Sequence, residues 1–526
     1  MSRTGKGTRR RARPIGPAVT LFVVTSLATV LVAGCAGTTG TVTVDHSTLH
    51  RNPTPTTTST TDPPLPVAPV RWTPCGNLQC GSVAAPLDYA VPEGAAVQIA
   101  VARHPAEVPA ERLGSLVINP GGPGGSGIDD LPNELSVLTP GVLDRFDIVS
   151  FDPRGVERSS PVTCAGTSPN SVGGGGTETT GPLIDPVPTD SASRQALLRN
   201  DVAFARQCQQ ASGGILPHVG TVDTARDLDR IRAALGDARL SFVGHSYGTL
   251  LGATYAELFP THVRAMVLDG AIDPALSTVQ YVTDQAMSYE SELQSFFAWC
   301  ATDSSCAWRP VGDPTGALLD LIQRSRSQAL TTAPGGGTAG PGEIYDALLA
   351  GLEARSSWPA LAGALAEAEA GNGSAVTSMT GRYETGGSSN GAVAEQAIDC
   401  VDHPVDRDSA SYPALAATVG RSAPVFGPLL AWGLLGCATW PVLPTRAPAP
   451  ASDAGAPPIV VVGTSGDPVT PYRWAVDLAR ELTGASILTW QGQSHVAYFY
   501  SPCVRAAVQA YLVEGVLPPT GTVCTD

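Results

Sequence analysis

The sequence is poor in histidine and carries none of the familiar metal-binding patterns. Only eight histidines occur in 526 residues. No two cysteines have the C-x2-C spacing and no H-E-x-x-H is present, so a zinc site is not expected. The glycine-rich stretch at 117–127 lacks the Gly-Lys-Ser/Thr of phosphate-binding loops. The sequence therefore predicts a protein without a metal ion or a cofactor.

Positive charge is scarce outside the N-terminus. The first 34 residues hold six Lys or Arg and no Asp or Glu, and the remainder holds 26 Lys or Arg against 47 Asp or Glu, a net of −21. Nucleic acids and anionic lipid surfaces attract basic proteins. The composition therefore disfavours both as direct partners and mildly favours cationic ligands, although a soluble acidic surface is the simplest interpretation.

The N-terminus has the pattern of an export signal: a basic segment, an apolar stretch of 16 residues and a small-residue site. Val32-Ala33-Gly34-Cys35 resembles the lipobox of bacterial lipoproteins, which implies cleavage after residue 34 and lipidation of Cys35. An uncleaved membrane anchor and a plain secretory signal are the alternatives. All three place the body outside the cytoplasm, and we predict lipid anchoring to the outer face of the cell membrane.

The cysteine count agrees with export. Ten cysteines remain apart from Cys35, and an even number in an exported chain predicts up to five disulfides. Spacing alone leaves the connectivity open. Pairing of neighbours gives short loops and is our expectation: 75–80, 164–208, 300–306, 400–437 and 503–524.

A Thr/Pro-rich stretch at 35–70 has few large apolar residues and cannot bury a core of its own. It is predicted to be an extended tether, which at ~3.3 Å per residue reaches at most roughly 115 Å. Such a tether would hold a folded body well clear of a membrane. A flexible loop is predicted at 165–190 and a Pro/Ala-rich linker at 443–457.

Short apolar runs that end in Gly, Pro, Asp or Ser alternate with helical patterns in the rest of the chain. The predicted strands are 96–104, 115–120, 146–155, 240–246, 263–271, 458–467 and 486–490. The predicted helices between them are 224–236, 471–484 and 501–515. Continuous apolar strands suit a sheet that is buried on both faces, whereas the alternation at 96–104 is typical of an antiparallel strand. An α/β fold with a mostly parallel sheet flanked by helices follows.

Residues 275–440 differ, because successive helical patterns occur there without buried-strand runs. A helical insertion between two strands of such a sheet would lie over its carboxyl edge as a cap. We therefore predict a first part of the core at 71–274, a helical cap at 275–440 and a C-terminal part of the core at 441–526.

Gly-His-Ser-Tyr-Gly at 244–248 stands between an apolar strand and a helix. In such a sharp turn glycines flank the serine because side chains do not fit, and the strained serine projects above the sheet edge. The alternative is a serine that only caps the helix. We predict Ser246 as a nucleophile and His245 as a packing residue.

A serine hydroxyl needs a base, and the base needs a carboxylate to orient it. On this kind of sheet the chain order is Ser, then Asp or Glu, then His. Of the eight histidines only His495 follows the last strand signal and lies in a loop before a final helix, so it is the predicted base. Asp467 ends the preceding apolar strand and is the predicted acid. Asp269 is the alternative, although a supporting role suits it better.

The oxyanion of a tetrahedral intermediate requires two backbone N–H donors. One is expected from Tyr247, directly after the nucleophile. The other is expected from the glycine-rich loop after the strand at 115–120, with Gly122 as the first choice and Gly121 as the second.

Several motifs together resemble one family. The stretches "NPGGPGGSG", "FDIVSFDPRG", "DTARDLDRIRAALG", "FVGHSYGT" and "GTSGDPVTPYRWA", followed by "GQSH", are similar to the prolyl- and tripeptidyl-aminopeptidase branch of the α/β-hydrolases. Exported actinobacterial members with a C-terminal tripeptidyl-aminopeptidase-like (TAP-like) region resemble it most, over roughly 70–526. The resemblance implies an α/β-hydrolase fold with a helical cap inserted before the acid-bearing strand. Pro120 stands where the simple peptidase pattern has His, and Gly125 where some relatives have Glu.

An aminopeptidase must hold a free α-ammonium group, which asks for carboxylates beside the cleft. Glu395, Asp399 and Asp402 are candidates for this substrate-binding role. The alternative is a solvated helix end next to a disulfide at Cys400.

Three functions are compatible with these observations. The first is a lipid-anchored serine hydrolase that cleaves short peptides from the N-terminus through an acyl-enzyme. The second is a carboxylesterase or lipase that acts on acyl esters with the same three residues. The third is a non-catalytic lipoprotein that binds a cell-envelope partner. The expected ligand is a short peptide or an ester, the only expected membrane contact is the lipid anchor, and nucleic acid is not expected.

Overall fold

The structure is a computed structural model. It describes residues 67–164, 183–332, 337–384, 390–519 and 521–526. The predicted signal peptide, Cys35 and most of the predicted tether lie outside the described residues.

The central element is a ten-stranded sheet with the strand order β1-β2-β3-β5-β4-β6-β7-β10-β11-β12, and a separate two-stranded ladder joins β8 and β9. The strands are β1 Thr73–Cys75, β2 Leu78–Pro86, β3 Ala96–His104, β4 Gly114–Asn119, β5 Phe146–Phe151, β6 Leu240–His245, β7 Val263–Asp269, β8 Leu330–Thr331, β9 Thr338–Ala339, β10 Val460–Thr464, β11 Ser486–Trp490 and β12 Thr522–Cys524. Strands β5, β4, β6, β7, β10, β11 and β12 are parallel to one another, whereas β1 pairs antiparallel with β2, β2 with β3, and β3 with β5. The predicted mostly parallel sheet is confirmed, including the antiparallel strand at 96–104.

The described helices comprise those that cover the two faces of the sheet and those of the cap. They are α1 Gly127–Val137, α2 Pro140–Leu143, α3 Ser191–Ser212, α4 Thr221–Ala234, α5 Tyr247–Leu258, α6 Thr278–Thr302, α7 Pro314–Ser327, α8 Pro341–Leu352, α9 Trp358–Glu369, α10 Ser374–Glu384, α11 Gly391–Asp402, α12 Tyr412–Val419, α13 Phe426–Gly433, α14 Leu435–Ala438, α15 Tyr472–Glu481 and α16 Pro502–Gln509.

Successive residues of the central strands enter two different apolar clusters. Val117 and Val149 pack with α4, α5 and α15 on one face. Leu116 and Ile148 pack with α1 and α16 on the other face. Because side chains alternate along a strand, an all-apolar run is what a strand covered on both faces requires.

The cap comprises α6 to α14 and is inserted between β7 and β10, which are neighbours in the sheet. It has its own apolar cluster, with Phe296, Trp358 and Leu365 among its fully buried members. The ladder of β8 and β9 is the one departure from the all-helical expectation within the described part of the cap, and each strand is only two residues long. Helix α3, which precedes β6 in the chain, packs through Leu197 against cap residues such as Trp432. The domain boundaries themselves stay a prediction.

Five disulfides join the ten cysteines as expected. The pairs are Cys75–Cys80, Cys164–Cys208, Cys300–Cys306, Cys400–Cys437 and Cys503–Cys524. Among the described helices none is both long and apolar enough to cross a bilayer.

Candidate active site

Ser246 occupies a strained turn between β6 and α5. Its backbone has φ 54° and ψ −122°, and its N–H donates to the carbonyl oxygen of Asp269 at 2.9 Å. A Cβ on Gly244 would lie 2.2 Å from the carbonyl oxygen of Gly248, and a Cβ on Gly248 would lie 2.7 Å from the carbonyl oxygen of Asn119. Both flanking glycines are therefore required by space, and the serine lies at the carboxyl end of the sheet, as predicted.

Asp467 and His495 form a hydrogen-bonded pair. The Nδ1 atom of His495 lies 3.0 Å from both carboxylate oxygens of Asp467, which is 1% exposed. The carboxylate also accepts from the N–H of Val469 at 2.9 Å and from the N–H and Oγ1 of Thr470 at 2.8 and 2.9 Å. The acid is thus held rigidly, and the Nε2 atom of the imidazole is the nitrogen left for Ser246.

Burial alone would lower the pKa of His495, but the adjacent Asp467 carboxylate outweighs it. The negative charge of Asp467 and its hydrogen bond, with smaller contributions from Glu353 and Asp269, raise this pKa above its ordinary value. The arrangement stabilises the imidazolium that forms when a base accepts a proton from serine.

Ser246 and His495 lie against the same end of β7. The N–H of Ser246 binds Asp269, and a Cβ on the next residue, Gly270, would lie 3.2 Å from Cε1 of His495. Within the described residues His495 side-chain hydrogen bonds go to Asp467 and Thr470, and none joins it to the Ser246 hydroxyl. Such a bond tightens when substrate enters the site.

The glycine-rich loop after β4 packs directly on the serine. A Cβ on Gly121 would lie 2.9 Å from Cβ of Ser246 and 3.4 Å from the backbone nitrogen of Tyr247. The N–H of Gly121 donates to Oδ1 of Asn119 at 3.2 Å, whereas the N–H of Gly122 has no acceptor among the described residues. The N–H of Gly121 is therefore engaged and that of Gly122 is not, and the oxyanion roles of Gly122 and Tyr247 stay a prediction.

Helix α11 of the cap lies on the same loop. A Cβ on Gly124, whose φ is 89°, would lie 2.7 Å from the backbone nitrogen of Glu395. Glu395 and Asp399, one helical turn apart, line a cavity of about 250 Å³ together with Ser246 and Gly122. Two of the three predicted substrate-binding acids therefore face the same space as the serine.

Asp402, the third of these acids, does not line that cavity. It is 1% exposed and accepts from the N–H of Thr221 at 3.0 Å and from its Oγ1 at 2.5 Å. Thr221 Oγ1 in turn lies 2.7 Å from the hydroxyl of Tyr247. In this structure Asp402 ties the end of α11 to the turn that carries the nucleophile.

Burial raises the pKa of all three acids. The pKa of Glu395 is raised well above its ordinary value, by burial first and then by Asp399 and Glu353. The pKa of Asp399 is raised to about 7 by burial and Asp402. The pKa of Asp402 is raised only to about 6, because burial is opposed by its bonds to Thr221. A cation placed in this cavity would favour the ionised acids.

The remaining walls of the cavity are mostly apolar. They include Leu250, Ile272, Val282, Leu349 and Trp432. No group of three His, Cys, Asp or Glu in the described chain could hold a metal ion.

Two features of the site were missed by the sequence reasoning. Thr470 supports both Asp467 and His495, and the Asp-x-x-Thr spacing is a side-chain turn signal that could have indicated it. The cap also holds the histidine loop: the N–H of His495 donates to the carbonyl oxygen of Glu353 at 2.6 Å, and the N–H of Arg355 donates to that of Gln493 at 3.0 Å. No local pattern signals these two contacts between the cap and the histidine loop, because their partners are more than a hundred residues apart in the chain.

Two family models match the chain. The model described as alpha/beta hydrolase fold matches residues 114–310, and the model described as TAP-like protein matches residues 423–524.

Three relatives match over most of their length. The serine protease Hip1 of Mycobacterium tuberculosis is 36% identical over 496 residues, which covers 87% of this chain and 91% of the relative. The tripeptidyl aminopeptidase of Streptomyces lividans is 33% identical over 457 residues, covering 84% and 83%. The carboxylesterase B of Mycobacterium tuberculosis is 34% identical over 471 residues, covering 85% and 86%. All three names denote hydrolases, in agreement with the predicted enzyme class.

Proposed function

This chain belongs to the TAP-like branch of the α/β-hydrolases, and from that membership we propose that it is an exopeptidase that releases short peptides from the amino end of its substrate. It is a serine hydrolase. The observation that carries the peptidase proposal is the pair of acids on α11, Glu395 and Asp399, in the same cavity as Ser246.

The proposed chemistry is acyl transfer through Ser246. The imidazole of His495 removes the hydroxyl proton through Nε2 as Oγ of Ser246 attacks the substrate carbonyl, while Asp467 keeps Nδ1 protonated and the ring oriented. The N–H groups of Gly122 and Tyr247 stabilise the oxyanion. The imidazolium then protonates the leaving amine. A water molecule, activated by the same histidine, releases the peptide from Ser246.

The acids on α11 are proposed to select for a free N-terminus. An ammonium group in a cavity with apolar walls must be paired with negative charge. Because a helix rises about 1.5 Å per residue, Glu395 and Asp399 are separated by ~6 Å along α11. An extended peptide advances roughly 3.3–3.6 Å per residue, so the two acids are spaced for the amines of fragments that differ by about two residues.

A panel of p-nitroanilides tests this proposal. The peptides are one to four residues long, each with a free or an acetylated N-terminus. Turnover of free peptides, with loss of at least about 100-fold in kcat/KM on acetylation, is expected because the acetyl group removes the charge. Ser246→Ala serves as the inactive control. Equal turnover of free and acetylated peptides would contradict an exopeptidase.

The alternative is a carboxylesterase that acts on acyl esters. The mostly apolar cavity and the carboxylesterase B relative support it. Under this alternative, p-nitrophenyl acyl esters would be preferred over every peptide in the panel by kcat/KM, and Glu395→Gln would leave their hydrolysis unaffected.

The proposed location is the outer face of the cell membrane, with the lipid on Cys35. Five disulfides in the folded body support export. Metabolic labelling with a fatty acid tests the anchor: wild type should be labelled and membrane-bound, and Cys35→Ala should be unlabelled. Equal labelling of both would contradict lipidation at this residue.

A further inference from the structure

Two residues of the site have strained backbones. Among the described residues other than glycine, four have a positive φ, and two of these belong to the site: Ser246 at 54° and Val496, directly after His495, at 64°. A left-handed conformation is especially unfavourable for a β-branched residue such as valine. Strain of this kind persists only where surrounding contacts hold it.

Asp269 contacts the backbone of Ser246 and of the residues directly after Val496, whereas the N–H of Val496 itself donates to Oδ2 of Asp467 at 3.4 Å. The carbonyl oxygen of Asp269 accepts the N–H of Ser246 at 2.9 Å. Its carboxylate accepts the N–H of Ala497 at 3.1 Å through Oδ1 and the N–H of Tyr498 at 2.8 Å through Oδ2. Successive N–H groups next to a left-handed residue form a concave anion-binding site, and here the anion is this carboxylate.

The residue after Asp269 reaches the remaining part of the site. The N–H of Gly270 donates to the carbonyl oxygen of Val462 in β10, the strand that leads to Asp467. Gly270 has φ 68°, and a Cβ there would lie 3.2 Å from both Cε1 of His495 and Oγ1 of Thr470. The end of β7 therefore contacts the segments that carry the nucleophile, the acid and the base.

The carboxylate of Asp269 is 1% exposed and needs an opposite charge as well as hydrogen bonds. Nδ1 of His245 lies 3.8 Å from its Oδ2, and Nε2 of the same imidazole lies 3.5 Å from Oε1 of Glu134. His245 thus stands between two buried carboxylates, directly before the nucleophile in the chain.

We propose that Asp269 is a positioning residue that holds the strained backbones at Ser246 and Val496, so that the imidazole of His495 faces the serine hydroxyl. Asp269 contacts neither the hydroxyl nor the imidazole through its carboxylate, and it acts through the two segments. The inference rests on the proposed function in one respect, since it requires that Ser246 and His495 perform the chemistry.

The first test compares Asp269→Asn with Asp453→Asn. Asp453 is equally buried and also accepts a backbone N–H from a distant segment, that of Thr483 at 2.8 Å, but it lies in the stretch before β10. With a p-nitrophenyl ester, kcat of Asp269→Asn should fall by about 100-fold with KM nearly unchanged, because misplacing a reacting group by about 1 Å has this effect. Asp453→Asn should retain kcat even where its melting temperature falls equally. Equal kcat in the two variants would overturn the proposal.

The second test is rescue. Glycine adopts a positive φ without strain, so in Val496→Gly this backbone conformation depends less on the hydrogen bonds to Asp269. The double variant Asp269→Asn/Val496→Gly should regain at least about 5-fold in kcat over Asp269→Asn alone, and no gain would contradict the proposal. If Asp269→Asn does not fold, Asp269→Glu replaces it, since the extra methylene displaces both acceptor oxygens while the charge is kept, and the same loss of kcat is expected.

Failure of this inference is distinguishable from failure of the proposed function. A wild-type protein that neither turns over any ester or peptide nor reacts with a fluorophosphonate at Ser246 would contradict the hydrolase chemistry itself. An active wild type whose Asp269→Asn variant matches Asp453→Asn would overturn only the positioning role.

Discussion

The sheet positions the three predicted catalytic residues and the cap positions the acids beside the cavity. The first set is placed by strand ends and turns, the second by the packing of a helix. Ser246, Asp467 and His495 follow strands β6, β10 and β11, so each is placed by a short apolar run and the turn after it. Glu395 and Asp399 lie in the middle of a cap helix, and their position depends on how α11 packs on the loop after β4. In the proposed function, chemistry and substrate selection thus reside in separate parts, and changes in each should have different consequences.

Two of the contacts between the sheet and the cap lie beside the predicted catalytic residues. Gly124 contacts the backbone of Glu395, and Glu353 of the cap accepts the N–H of His495. The first contact aligns α11 with the predicted oxyanion donors, and the second connects the end of α8 with the histidine loop. A change at either place should affect chemistry and selection together, unlike a change inside one part.

The largest effect is expected from Ser246→Ala in the core. Without the nucleophile, kcat should fall by about 10,000-fold or more for peptides and esters alike. Rates on both substrate classes and the far-UV circular dichroism spectrum check this. A folded variant that keeps substantial activity on either class would show that the chemistry does not depend on Ser246.

The next effect is expected at the contact between the parts. In Gly124→Ala the new Cβ would lie 2.3 Å from the carbonyl oxygen of Gly391, at a backbone φ of 89°. The loop or α11 must move, so kcat/KM should fall by roughly 10- to 100-fold on both substrate classes. Gly363→Ala in α9 is the control in the cap, since a Cβ there meets nothing within 4 Å and Gly363 does not line the cavity. Similar rates for the two variants would contradict the importance of the contact.

A smaller and selective effect is expected inside the cap. The double change Glu395→Gln/Asp399→Asn preserves shape and removes the negative charge beside the cavity. KM for free-amine peptides should rise by about 10- to 100-fold, because a charge-assisted bond to the ammonium is lost. Hydrolysis of p-nitrophenyl esters should change less than about 2-fold. An equal loss on esters would mean that the acids support the fold rather than the substrate.

The smallest effect is a shift along the pH axis. His495 must be neutral to act as a base, and its pKa is raised by Asp467 against the effect of burial. Ester hydrolysis should therefore decline as the pH falls, with a midpoint above the ordinary histidine value of about 6.5. For peptides with a free amine the decline should be steeper, since the pKa of Asp399 is about 7 and protonation weakens its hold on an ammonium. Identical profiles for the two classes would contradict separate roles for core and cap.

Much of the core could be predicted because its signals are local. The runs that became β4, β5, β6, β7, β10 and β11 are continuously apolar, and each is followed by turn residues. Strands β1, β2 and β12 were not predicted, since β1 and β12 have only three residues each and small or polar residues interrupt the apolar run in β2. Helix α3 was also missed, because it follows a long polar stretch and its apolar face is narrow. Its packing on the cap depends on residues some two hundred positions away.

The candidate site divides in the same way. Ser246, Asp467 and His495 were named from chain order and strand ends. The three acids of α11 were named together, yet the structure separates them: Glu395 and Asp399 line the cavity, whereas Asp402 binds Thr221. Helical spacing places all three acids on one face of α11. Whether an acid on this face lines the cavity or binds another residue depends on what packs against it, and the sequence does not show this.

The sequence by itself determined the central strands of the sheet, the turn at Ser246, the chain order of Ser246, Asp467 and His495, and the even number of cysteines that predicts up to five disulfides, because these depend on near neighbours, periodicity and count. Only the tertiary structure decided which acids face the cavity. It also decided that the carbonyl oxygen of Glu353 in the cap accepts the N–H of His495, and that Asp269 contacts both strained segments. Those facts depend on contacts between distant residues, and such contacts form only when α11, the end of β7 and the loop after β11 are packed together.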